Sequence, residues 1–306
     1  MAGTKEIKNR IESVKDTKKI TNAMYLIAST KLRKAKSGLE STRPYFEALQ
    51  GEIKRIFRTA SDVDSRYFYP PEGAPPLNGT YGCLVITADK GLAGAYNQNV
   101  IKEAQRMLHD HPDTKLFVVG EYGRHFFAQH NIPIERSFLY TAQNPTMDRA
   151  REICAILLDG FDRGELEKIF VIYTDMENSL TSSAHCTRIL PFHRASFVTT
   201  TVEKAVTEPF EFLPSIEAVL DNIMESYISG FIYSALIDSF CSEQNARMSA
   251  MSTANENAEK MLSSLALEYN RIRQAAITQE ITEVAAGARA QRLRKAANTE
   301  KRGDTP

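Results

Sequence analysis

From Phe231 to Ala286 run fifty-six consecutive residues with neither proline nor glycine. Read as one helix, the segment predicts a rod of about 84 Å at 1.5 Å per residue. Within it Met251, Ala254, Ala258, Met261, Leu265, Tyr269, Ile272 and Ala276 step by threes and fours. That spacing is close to the 3.5-residue repeat of a coiled-coil seam. A helix this long cannot bury its apolar stripe on one compact domain, so it demands a partner helix.

The other end of the chain offers one. Between Thr4 and Arg43 there is no proline, and Gly38 is the only glycine. Ile7, Ile11 and Val14 form an apolar stripe on a charged rod, and Ile20, Met24, Ile27 and then Lys31 continue it after a shift. Pro44 permits a bend or break, after which Phe46, Leu49, Ile53 and Ile56 resume helical character. The expected organisation is an N-terminal coiled-coil helix over 1–60 and a linker over 61–80 containing PPEGAPPLNG. A central domain over 81–209, a C-terminal coiled-coil helix over 210–290 and a basic extension over 291–306 (QRLRKAANTEKRGDTP after Ala290) complete it.

The central block changes period. Cys83–Thr87, Leu116–Val119 and Ile169–Tyr173 are short apolar runs of the kind that make buried strands. Helix-compatible stretches, Gln98–His109 and Asp148–Asp159, lie between them, and residues 187–201 supply a further strand or edge hairpin. Alternating strands and helices predict a mostly parallel sheet. The fold class is therefore α/β with long helices: an antiparallel coiled coil of the two chain ends plus a central, mostly parallel α/β sheet domain.

Lysine plus arginine balances aspartate plus glutamate, so net charge names no partner. Residues 1–58 nevertheless carry fourteen basic against six acidic side chains, the mark of a surface that meets something acidic. Only Tyr25 interleaves with Lys15, Lys18, Lys19, Lys31, Arg33, Lys34 and Lys36, which favours a solvated coiled-coil face over a nucleic-acid surface. Cys83, Cys154, Cys186 and Cys241 make no CxxC pair, the six histidines form no ligand pattern, and no Ser/His/Asp arrangement is legible. No metal, cofactor or disulfide is expected. The start MAGTKEIKNR has no apolar run after its charges, and nowhere do eighteen apolar residues run together.

Thr87–Asn97 (TADKGLAGAYN) follows the first strand and precedes a helix. Its glycines could cradle phosphate, but the lysine precedes them, unlike a P-loop. A tight strand-to-helix turn needing glycine dihedrals explains them better, and Asp89, Lys90, Gly91 and Gly94 then form a loop open to protein contact. Asp175 and Glu177 follow the third strand with no convergent second group, and are read as loop charges. Arg273–Ala288 is polar on more than one face, as a solvated helix end or a tip surrounded by other protein would be.

Lys5–Ile7 with Ile11–Met24, then Ala246–Met248, Ala250–Met251 and Tyr269–Glu280, closely resemble the opening and closing helices of ATP synthase gamma subunits. The run from Ile277 through Glu280 and Glu283 to Ala288 is similar to that family's signature, and Asp89–Asn97 to its central-domain loop. The resemblance implies a non-catalytic rotor shaft of an F-type ATP synthase, coupling proton flow to conformational cycling of the catalytic beta subunits. It implies the alpha, beta and epsilon subunits and the membrane c-ring as partners, one copy per complex, at the cytoplasmic face of a bacterial inner membrane. Carried over by motif position, Met24, Arg247, Gln274, Thr278, Glu280 and Glu283 are coupling or beta-contact residues. Asn22 departs from the common lysine, and Ala93 stands where a cysteine is common. Two other classes are kept beside it: an α/β nucleotide-binding enzyme with coiled-coil arms, and a helical nucleic-acid or chaperone module.

Overall fold

The structure, a computed structural model, describes residues 2–59, 65–69, 79–139, 141–175, 182–193 and 212–303. The element order is α1 (Ala2–Thr59), β1 (Tyr81–Ile86), α2 (Tyr96–Asp110), β2 (Lys115–Val119), α3 (Glu121–Gln129), β3 (Arg136–Phe138), α4 (Met147–Asp162), β4 (Lys168–Asp175), β5 (Ser183–Leu190) and α5 (Ile216–Gly303). The chain divides into two compact units, Met1–Tyr25 with Met251–Pro306, and Leu26–Ala250.

In the second unit the sheet runs β3-β2-β1-β4-β5, with β1, β2, β3 and β4 parallel and β5 antiparallel at the edge. Alternation along β1 splits the core. Cys83 and Val85 pack with Val100, Ile101, Ala104 and Phe127 of α2 and α3. Leu84 and Ile86 belong to the larger cluster, with Ile53 and Ile56 of α1, Ile153 and Leu157 of α4, and Leu236 of α5. The three expected strands are present, and α2 and α4 cover the expected helices. The ranges of α3 and β3 were not legible: nine residues of helix with an internal glycine and three residues of strand carry little periodic signal. The edge strand is β5, which begins before the expected 187–201; residues 194–201 lie outside the described residues, as does most of the proline-rich linker.

Pro44 neither ends nor breaks α1, which continues to Thr59. An interior proline costs about 3 kcal/mol. Burial of Ile53, Ile56 and Phe57 in the same helix offsets that, at about 1.5–3 kcal/mol per large apolar side chain. Helix α1 lies close against α5 here: a methyl group built on Gly230 of α5 would fall 1.9 Å from the Phe46 ring of α1. Helix α5 starts at Ile216, where Ser215 Oγ accepts from the Ala218 amide at 3.2 Å, and runs through the basic extension to Gly303.

The first unit is an antiparallel helix pair. Lys18 Nζ donates to Glu259 Oε1 at 2.6 Å, and Thr21 Oγ1 donates to Asn255 Oδ1, so advancing along α1 retreats along α5. The stripe on α1 is corrected by this geometry. Ile20 and Ile27 are 61% and 57% exposed, whereas Ile7, Ile11, Val14, Lys18, Thr21 and Met24 are half-buried. The repeat does not shift after Val14; it passes through two polar residues, each matched to a polar partner on α5. On α5, Met251, Ala258 and Leu265 are buried as expected, but Met261 is 44% exposed and Leu262 takes the half-buried position.

Candidate functional site

The C-terminal ends of parallel strands, where the strand order reverses, are where open α/β sheets usually take ligands. Here that reversal falls between β1 and β4, and α5 fills it. Ser239 Oγ accepts from the Thr174 amide at 3.1 Å, and Ser242 Oγ donates to the Thr174 carbonyl at 3.3 Å. Ala246 packs on Ala88, Ala93 and Tyr96. Burial drives the Tyr96 phenol far above its ordinary value, so it stays protonated.

The turn between β1 and α2 is pinned from every inward side. Asn97 Oδ1 accepts from the Ala88 amide at 2.9 Å. Asp89 Oδ1 accepts from the Glu121 amide at 3.0 Å and so caps α3, while its Oδ2 is buried without a partner. Thr87 Oγ1 donates to the Val119 carbonyl at 2.8 Å and accepts from the Gly123 amide at 3.0 Å. Arg247 of α5 donates through Nη1 to Glu243 Oε1 and through Nη2 to the carbonyls of Lys90 and Gly91 at 3.3 and 3.1 Å. Outward, Lys90, Gly91, Leu92, Gly94 and Ala95 are exposed, Leu92 at 66%. The left-handed dihedrals fall on Leu92 (φ 63°) and Gly94 (φ 54°). Gly91 needs no such freedom and no close approach, which corrects one half of the expectation for the two glycines.

In the helix-pair unit, Ala276 is the last half-buried residue of α5 among the described side chains. The 27 residues from 277 to 303 then extend for about 40 Å. Ile277, Ile281 and Val284 are 47%, 64% and 74% exposed, far more large apolar surface than a solvated helix end needs. Thr278 Oγ1 donates back to the Gln274 carbonyl at 2.9 Å, Thr282 Oγ1 to the Thr278 carbonyl at 2.8 Å, and Gln279 Nε2 to Glu283 Oε1 at 3.0 Å.

Comparison with known proteins explains this pairing of a plugged sheet with a bare helix tip. The ATP synthase family matches residues 3–291. The ATP synthase gamma chain of Caldanaerobacter subterraneus subsp. tengcongensis is 40% identical over 294 residues, spanning 94% of this chain and 99% of that one. The chain belongs to the ATP synthase gamma chain family. A second relative is the gamma chain, named sodium ion specific, of Acetobacterium woodii, 36% identical over 93% of this chain and 97% of its own. The rotor of the Euglena gracilis mitochondrial ATP synthase shares the fold at a TM-score of 0.61, with 13% identity, over 90% of this chain and 99% of that one.

The residues carried over from gamma chains divide into two groups. Gln274, Thr278, Glu280 and Glu283 are exposed on the α5 tip, and Met24 is half-buried on the α1 stripe. Arg247 belongs instead with Asp89, Lys90, Gly91 and Gly94 at the β1–α2 turn, and its side chain is only 12% exposed. Glu243, Asn97, Thr87 and Gly120 hold that turn and were not foreseen. For Gly120 a signal existed: a glycine directly after the Val118-Val119 strand end. Its φ is 95°, and a Cβ would meet the Thr87 carbonyl oxygen at 2.2 Å. Asp175, at the end of β4, approaches Asp238 rather than a catalytic partner, and a cavity of about 610 Å³ between α1 and α5 is lined by both together with Lys36 and Arg43. Glu177 lies outside the described residues.

Proposed function

We infer that this chain is the central rotor shaft of an F-type ATP synthase, a non-catalytic subunit that links ion flow in the membrane sector to conformational cycling elsewhere in the complex. Helix α5 carries the conclusion. It fills the crevice where an α/β enzyme would take its ligand, and over residues 277–292 it offers an exposed tip with no partner helix among the described residues. A paired helix transmits torque because bending it would separate the buried Met251, Ala258 and Leu265 from their seam. Ala275, Ala276, Ala285 and Ala286 keep the tip slender, as turning inside a sleeve requires.

The alpha and beta subunits surround the tip, and the beta subunits change nucleotide affinity as it turns, a coupling of the general differential-affinity kind. Epsilon and the c-ring bind the sheet-bearing unit, with one shaft per complex. Among the described residues no helix is long and apolar enough to cross a membrane; the chain attaches through the c-ring, at the cytoplasmic face of a bacterial inner membrane. Met24, Arg247, Gln274, Thr278, Glu280 and Glu283 serve coupling, and Lys90 and Gly91 present the contact loop. The test is co-purification. Tagged chain extracted in mild detergent from its own membranes brings alpha, beta, epsilon and c subunits with it; an intact complex that lacks the chain contradicts the role.

A further inference from the structure

Arg247 is placed among the coupling residues by its motif, yet it is nearly buried and both of its Nη groups are hydrogen-bonded inside the chain. One guanidinium nitrogen meets Glu243, itself 6% exposed, and the other meets two successive carbonyls, Lys90 and Gly91. Gln244 Nε2 also donates to Glu243 Oε1 at 3.2 Å, fixing the carboxylate from a second side. A guanidinium is suited to this because its planar fork binds a carboxylate and carbonyls at once, which an ammonium cannot do in one geometry. One residue before it, Ala246 packs on Ala88, Ala93 and Tyr96, so the same turn of α5 clamps the loop by contact and by hydrogen bond. The outer residues of that loop, Lys90 and Leu92, are the ones exposed for a partner.

We propose that Glu243 and Arg247 form a latch that fixes the Lys90–Leu92 loop to helix α5, so that Glu243 is a positioning residue acting on coupling through Arg247 and not by touching a partner subunit. Resting on the rotor role, the latch makes the loop and the shaft move as one body. A load applied at Lys90 or Leu92 then reaches α5 without being absorbed by loop movement. An unlatched loop keeps the Asn97 and Asp89 hydrogen bonds, the Tyr122 amide on the Ala88 carbonyl and the packing of Ala88 and Ala93, none of which ties Lys90 or Gly91 to α5.

Two measurements separate the latch from a direct contact. Hydrogen exchange on the full chain is compared for wild type, Glu243→Gln, Arg247→Lys and Arg247→Gln. The latch predicts exchange faster by roughly tenfold in all three at the Ala88 and Glu121 amides, the ones the turn's side chains hold, with the rest of α2, α3 and the sheet unchanged, because a charge-assisted clamp and not the fold is lost. In the reconstituted complex, ATP-driven ion uptake per ATP hydrolysed falls by about twofold or more in Glu243→Gln as in Arg247→Gln, and the double variant is no worse than either, as one unit requires. Uptake that falls in Arg247→Gln but not in Glu243→Gln, with loop exchange unaltered, overturns the latch and makes Arg247 a direct contact. Faster loop exchange with full uptake overturns the link to coupling but leaves the rotor role standing. Failure of the wild-type chain to enter the complex defeats the rotor role itself.

Discussion

At the scale of single residues, the most consequential groups are those buried against their chemistry. Burial, and then the charge of Asp175, raise the Asp238 carboxyl to about 6, despite help to the charged form from Ser234 and Arg43. The folded chain therefore holds a proton that the unfolded chain has released, and stability falls as pH rises from about 4 through about 6. Asp238→Asn raises unfolding free energy at pH 8 by on the order of 2 kcal/mol and changes it little at pH 4, as urea midpoints will read; equal effects at both pH values contradict the assignment. Gly120→Ala costs about 3 kcal/mol, since it combines a left-handed φ with a Cβ set against a carbonyl oxygen. Gly91→Ala stays within about 0.5 kcal/mol of wild type, because nothing lies within 4 Å of its Cβ. The contrast shows why sequence alone misweighted this turn. Glycines at 91 and 94 are visible as a motif, while the requirement at Gly120 arises from Thr87, thirty-three residues away.

At the scale of elements, long helices were the most legible part of the chain, because absence of breakers and a sustained repeat need no tertiary knowledge. The error at Ile20 has the same root. Apolar periodicity alone jumps to the nearest isoleucine, whereas the seam continues through Lys18 and Thr21, whose partners Glu259 and Asn255 lie over 230 residues away. Lys18 is half-buried and Glu259 is exposed at 63%, so their ion pair sets register more than stability. Sequence shows only that Pro44 permits a bend or break; the packed helix, which continues through it, reveals what offsets its cost. Close approach of α1 and α5 at Gly230 gives a test of that packing. Gly230→Ala destabilises by about 1–3 kcal/mol through overpacking against Phe46, and Phe46→Leu in the same chain relieves much of the loss. A double-mutant cycle by chemical denaturation checks it; additive effects would mean the two side chains do not share the space.

At the scale of the whole molecule, the sheet and the chain ends fall in separate compact units. The α/β layer order was legible from the three apolar strand runs, but α5 plugging its ligand crevice was not, because Ser239, Ser242 and Ala246 look in sequence like ordinary helix residues. The candidate tip residues were legible only through resemblance: exposed glutamines and threonines carry no physical signature of a rotating contact. Gln274→Leu and Thr278→Val are expected to lower ATP synthesis by several-fold while ATP hydrolysis stays within about twofold, since they alter coupling and not the nucleotide sites. Parallel assays of synthesis and hydrolysis in membrane vesicles check this. The most direct measurement is rotation itself. With the head of the purified complex fixed to a surface and a bead attached to this chain, ATP should drive sustained turning in one direction. ATP hydrolysis with the bead at rest, in complexes that contain the chain, would contradict the account.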